Sequence, residues 1–207
     1  MIRDISVALR EGTPEWPGDT PYSCGWTWSI ADGASVNVSA IAMSPHVGTH
    51  ADAPLHVKDG WPGSHELPLE PFIGPAVMVD VSDLDEEIRF EDLRRRLGGS
   101  VQVERLLLRT GRTIAAGAFP DDWPALAAGC ASALVRDGLR LLGVDAPSVD
   151  RRESKALATH HALFDGGAQL LENLDLRDVP DGEYELIAYP LRLEGLDAAP
   201  VRAVLRG

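Results

Sequence analysis

The sequence predicts a mixed α/β fold, a single mixed β-sheet domain flanked by helices over residues 1–207. Three observations predict it. Apolar residues fall at period two, or in short unbroken runs, over several segments of strand length. Three other segments show helical spacing or composition and close on glycine. A chain of 207 residues, 44% hydrophobic and 25% charged, suffices for one sizeable core, and no repeat, low-complexity stretch or linker divides it.

Taken in order, Ile5, Val7 and Leu9 alternate with polar or small residues and predict a first strand. Residues 11–21 form a rigid loop rich in proline and glycine, with Trp16 close to Pro14 and Pro17. A tryptophan held this way loses little entropy on being fixed, so it suits the wall of a flat pocket; covering the core edge would suit it equally. Trp26, Trp28 and Ile30 alternate, as do Val36 and Val38, with Asp32-Gly33 as a hairpin turn between them. Residues 75–81 and 103–108 read as buried strands, with a helix between them carrying Phe90, Leu93 and Leu97 and stopping at Gly98. Residues 110–124 read as loop, 126–135 as an alanine-rich helix ending near Gly138, and 139–144 as a buried strand. A helix is expected over 153–164 and strands over 169–172, 184–189 and 201–205.

The chemistry concentrates in Ser44-Pro45-His46-Val47-Gly48-Thr49-His50-Ala51-Asp52-Ala53-Pro54-Leu55-His56, which places three of the six histidines and a carboxylate within eleven positions. Pro45, Gly48 and Pro54 prevent a continuous helix. His46, His50, Asp52 and His56 all fall on even positions, so an extended chain would aim them at one face. A straight strand would still separate His46 from His56 by about 33 Å, whereas metal–ligand bonds are about 2.0–2.2 Å. The chain must therefore fold back, and Gly48 and Pro54 stand where a bend would help. Imidazole with carboxylate is the usual mixed ligand set of a catalytic zinc or manganese. His65 lies outside this stretch and is expected to be solvated. On the later helix His160 and His161 are adjacent, and periodicity alone does not say which one faces inward.

The stretch resembles the His-x-Gly-Thr-His-x-Asp-x-Pro-x-His signature of the cyclase-like metal-dependent hydrolases, most closely their kynurenine formamidase branch. A second block, Asp145-Ala146-Pro147-Ser148-Val149-Asp150 with Ser154-Lys155, His160-His161 and Glu172-Asn173-Leu174, is similar too, so the resemblance spans nearly the whole chain. It implies a sheet core of the swivelling β/β/α type and two divalent metal ions per chain, zinc foremost and manganese as the alternative. His46, His50 and Asp52 would bind one metal and His160 the other, with Asp52 and Glu172 bridging. His56 would be the catalytic proton donor and acceptor, with His161 as the substitute. The Trp-Pro-Gly-Asp loop is similar to one that lends an aromatic wall to the substrate, which places Trp16 in substrate binding. The implied activity is hydrolysis of an aryl formamide by a homodimer. The alternatives are a related hydrolase of isatin or another cyclic amide, and a non-catalytic metal or small-ligand binder.

Composition narrows the partners. A formal net charge of −13 argues against nucleic acid and anionic membranes. Cys24 and Cys130 are far apart and in no metal-like spacing, as expected of reduced thiols in the cytoplasm. Met1-Ile2-Arg3-Asp4-Ile5 does not open like a secretory signal, and no apolar run is long enough to span a bilayer.

Overall fold

The computed structural model describes residues 1–99 and 101–207. Nine strands form one sheet in the order Ile2–Asp4, Val204–Arg206, Gly182–Ile187, Ile73–Asp80, Arg105–Arg109, Leu141–Val144, Gln169–Glu172, His50–Asp52 and Ala198–Pro200. The four strands from Ile73–Asp80 to Gln169–Glu172 pair in parallel. The pairings on either side are antiparallel. Unbroken apolar runs such as Leu106-Leu107-Leu108 belong to the parallel centre because both of its faces are covered. Alternate residues then go to opposite cores. Leu106, Leu108, Leu142, Val144 and Leu170 face one, while Leu107, Leu141, Leu171, Met78 and Ala51 face the other. Three helices, α1 (Phe90–Arg96), α2 (Ala128–Arg136) and α3 (Ala158–Asp165), cover the first core through Leu93, Leu134 and Leu163. Each such leucine, fully buried, is worth about 1.5–3 kcal/mol relative to exposure.

The strands and helices fall close to the expected segments, with four corrections. The first strand is Ile2–Asp4; residues 5–9 form no further strand, Ser6 keeping only an isolated bridge to Leu174, and the Val7 N–H donates to Thr49 Oγ1 at 2.9 Å. The last segment splits into Ala198–Pro200 and Val204–Arg206, on opposite edges of the parallel core. The helix expected over 153–164 begins only at Ala158, because Leu157 has φ 43° and the Asp150 carboxylate takes the Thr159 and His160 N–H groups. The hairpin exists as Ser23–Trp28 paired with Val38–Ala42, but a short 3₁₀ turn at Ile30–Asp32 lies in its connection and every residue of both strands is exposed. Its alternation therefore serves no buried face of this chain. Among the described residues, no helix is long and apolar enough to cross a membrane.

Candidate metal centre

Gly48 makes the bend. Its φ is +74°, a conformation that favours glycine, and a Cβ there would have to push aside Leu9 Cδ2, 2.5 Å away. Beyond it His50–Asp52 enters the sheet between Gln169–Glu172 and Ala198–Pro200, with His50 opposite Glu172 and Asp52 opposite Leu170. Period two now acts over only three residues, so His50 and Asp52 share a face while Ala51 fills the opposite core. A 3₁₀ turn at Pro54–His56 brings the last histidine back, to 4.4 Å between the His46 and His56 ring centroids. The centre thus lies where the parallel sheet gives way to an antiparallel edge, beside the carboxyl ends of Leu141–Val144 and Gln169–Glu172. That is where open α/β sheets place ligands.

Hydrogen bonds set the tautomers of three imidazoles. His50 Nδ1 donates to Gly48 O at 2.9 Å, His160 Nδ1 to Asp150 Oδ2 at 2.7 Å, and His46 Nε2 to Asp197 Oδ2 at 2.9 Å. In each neutral ring the other nitrogen keeps a lone pair, and these lone pairs converge on two carboxylates. His46 Nδ1 and His50 Nε2 lie 3.1 and 3.2 Å from Asp52 Oδ1, and His160 Nε2 lies 3.4 Å from Asp52 Oδ2. Glu172 divides its oxygens the same way, Oε1 3.5 Å from His160 Nε2 and Oε2 3.7 Å from His50 Nε2. Glu172 Oε1 is steadied by the Val149 N–H at 2.9 Å.

This is a cluster of acceptors. Both oxygens of Asp52 and His160 Nε2 are buried and make no hydrogen bond among the described residues, a costly state unless a cation sits among them. Ligand atoms held tetrahedrally at about 2.0–2.2 Å stand about 3.3–3.6 Å apart, close to the 3.1–3.7 Å between the facing atoms here. The donor set therefore fits metal. Protons can serve in its place. Burial disfavours the imidazolium of His46, yet Asp197 and Asp52 outweigh it and push the pKa up to about 10. Burial likewise opposes charge on His160, but Asp150, Asp52 and Glu172 raise it well above the ordinary range. Asp52, which burial alone would raise, is pulled well below the ordinary carboxylate value by the three imidazoles.

A cavity of about 410 Å³ opens above the cluster. Trp16 lines it, half-buried, and also packs edge-on against Phe119 and Trp123 at 5.6 and 5.9 Å, so it is both pocket wall and core edge. His56 lines the same cavity with its side chain 31% exposed. Its donor atom, with those of His46 and Asp52, also lies within reach of one ion. His160 is the inward member of its pair, and His161 turns to Trp61 at 6.4 Å. His65, expected to be solvated, is half-buried, and its Nδ1 accepts the Gly195 N–H at 3.4 Å because that loop folds over it. Two residues of the cluster carry no role in the sequence. Asp150 only closes the second resembling block, and Asp197 sits in a loop with no motif around it, yet both hold imidazoles of the cluster.

A buried histidine–carboxylate cluster at the antiparallel switch of such a sheet defines a candidate metal centre. Residues 3–151 match the sequence model of the family described as "Putative cyclase", and the chain belongs to that family. It is 47% identical over 203 residues to the kynurenine formamidase of Bacillus thuringiensis (strain Al Hakam), covering 98% of this chain and 96% of that protein. Over the same coverage it is 44% identical to the kynurenine formamidase of Bordetella petrii. Among solved structures, a "potential metal-dependent hydrolase with cyclase activity" superposes with a TM-score of 0.84 at 29% identity, covering 99% of this chain and 96% of that one. An isatin hydrolase bound to thioisatinate superposes at 0.83 with 20% identity, covering 99% and 91%, which is a likeness of fold.

Proposed function

We propose that this chain is an arylformamidase that hydrolyses N-formyl-L-kynurenine to L-kynurenine and formate, using two divalent metal ions, zinc before manganese. The observation that carries the two-metal reading is the division of both carboxylates. One oxygen of Asp52 and one of Glu172 face His50, with His46 beside them, while the other two face His160. His46 and His50 would hold one ion and His160 the other, with Asp52 and Glu172 bridging. Such ions supply Lewis acidity, lowering the pKa of water toward about 7 and offsetting charge that develops on the formyl oxygen. His56, at the cavity, collects the proton released by water and hands it to the aryl amine nitrogen as the C–N bond breaks, since that amine leaves poorly as an anion. Trp16 orients the aromatic ring by stacking. The substrate assignment is supported by the relatives' names at 44–47% identity over 98% of the chain. The test is metal-dependent turnover of N-formylkynurenine beside isatin, with metal content measured. A metal-free protein that is fully active, or one that prefers isatin, would sink it.

The reading extends to the assembly: one domain, acting in the cytoplasm as a homodimer joined through the hairpin. Trp26, Trp28 and Ile41 are 65%, 60% and 64% exposed, and a two-stranded hairpin without a packed face is marginal alone. Residues 22–43 carry one charge, Asp32, in a chain of net charge −13. An uncharged face is where two such acidic copies can meet without repulsion.

A further inference from the structure

Asp197 lies at the edge of the cavity, its side chain 41% exposed. One oxygen, Oδ2, receives two imidazoles, His46 Nε2 at 2.9 Å and His56 Nδ1 at 3.1 Å. We infer that Asp197 is a positioning residue, one carboxylate oxygen that fixes the tautomer and angle of a metal-facing imidazole and of the proton-transfer imidazole together. The inference rests on the role proposed above for His56.

A carboxylate has no proton to give, so both contacts are N–H donations to Oδ2. Donation from Nε2 leaves Nδ1 as the bare nitrogen of His46, and Nδ1 is the atom 3.1 Å from Asp52 Oδ1. Donation from Nδ1 leaves Nε2 as the working nitrogen of His56. The proton released by water lodges on Nε2 and leaves from Nε2 to the amine nitrogen. The ring returns to neutral with its Nδ1–H still on Asp197, which gains and loses no proton.

The backbone is built to hold this. The Asp197 carbonyl accepts the Ala53 N–H at 2.8 Å. Its neighbour Ala198 opens the strand paired to His50–Asp52, with Ala198 opposite Asp52. The carboxylate therefore stands immediately before the strand next to the ligands, tied to Ala53, which is three residues before His56. A surface acid present by chance would have neither the double acceptance nor the anchor. Carboxylates behind metal-bound imidazoles typically change metal affinity or activity 10–100-fold when removed, and the shared oxygen extends that effect to His56.

The experiment compares Asp197→Ala, Asp197→Asn, His56→Asn and the Asp197→Ala/His56→Asn double variant. Zinc affinity of the stripped protein is measured by chelator competition. kcat and KM are measured on formanilide and on 4-nitroformanilide, whose amine leaves with less help from an acid. Asp197→Ala should weaken zinc about 10- to 100-fold and lower kcat on formanilide by a similar factor. With zinc saturating, the kcat loss should be smaller on 4-nitroformanilide, and Asp197→Ala should add little to the kcat loss of His56→Asn. Asp197→Asn, of the same shape without the charge, should fall between parent and alanine, and it carries the test if the alanine variant fails to fold. Equal losses on both substrates, full additivity with His56→Asn, or unchanged zinc affinity would overturn the inference. Full activity of His56→Asn would instead overturn the acid role beneath it, with Asp197→Ala then weakening zinc alone.

Discussion

The His56 side chain is 31% exposed and lines the cavity, whereas that of His50 is 1% exposed with Nε2 between two carboxylates. Substitution to asparagine should therefore separate them. His56→Asn is expected to keep its metal and lower kcat by about 10²–10⁴. His50→Asn, or Asp52→Asn at a carboxylate with no hydrogen bond among the described residues, should lose metal itself. Metal content measured beside kcat decides it; if His56→Asn sheds metal as readily as His50→Asn, then His56 is a ligand and the proton must travel by another group, His161 first. Trp16 presents a different balance, since its ring is shared between the cavity and the Phe119–Trp123 cluster. Trp16→Ala should lower kcat/KM for an aryl formamide by at least the stacking increment of about 0.5–1.5 kcal/mol, roughly 2- to 13-fold, with metal content unchanged. Parent-like kinetics in that variant would leave Trp16 a purely structural residue.

Between elements, two carboxylates couple parts of the sheet and its helices. Asp150 accepts the Thr159 and His160 N–H groups at the start of α3 and the His160 Nδ1–H at 2.7 Å. Asp150→Ala should thus loosen the helix start by about 0.5–2 kcal/mol and weaken metal binding about 10- to 100-fold. A drop in Tm without a change in metal affinity would show that only the helix needs it. Asp80 and Arg109 stand opposite each other at the ends of paired strands, with Arg109 Nη2 2.6 Å from Asp80 Oδ2. Partial burial opposes ionisation of Asp80, and Arg109 overcomes it, holding the carboxyl at about 2 against an ordinary 3.8. A pKa depressed by folding adds stability above the unfolded value that is lost as pH falls through the folded one. The stability gap between parent and Asp80→Asn, measured by urea unfolding, should be constant above pH 3.8 and close toward pH 2. A gap independent of pH would assign the effect to shape.

For the whole molecule, an acceptor cluster at the junction of sheet and edge strands would make a bound metal a structural as well as a chemical component. Removing it with a chelator should abolish turnover and lower Tm while leaving the chain folded, and adding zinc should restore both, with a gain that grows as RT ln(1 + [L]/Kd). The dimer proposed through the hairpin is a second global property to test. Sedimentation should give a dimer for the parent, and Trp26→Glu with Ile41→Glu, placing like charges on an otherwise uncharged face, should give monomer. A parent that sediments as a monomer would end the dimer proposal.

The sequence by itself determined the apolar runs of the parallel strands, the three helices, and a histidine stretch that is local in the chain. Gly48 and Pro54 marked its bends, and period two linked His50 with Asp52. These were legible because backbone preference and side-chain period act over a few residues. Tertiary structure alone decided the rest. Glu172 meets His50 only through strand pairing, Asp150 reaches His160 only because α3 starts late, and Asp197 reaches His46 across 151 residues. The hairpin's alternation signalled strands correctly, but not that both of its faces would be left open. Long-range pairing depends on which strand lies beside which, and no local pattern encodes that neighbour.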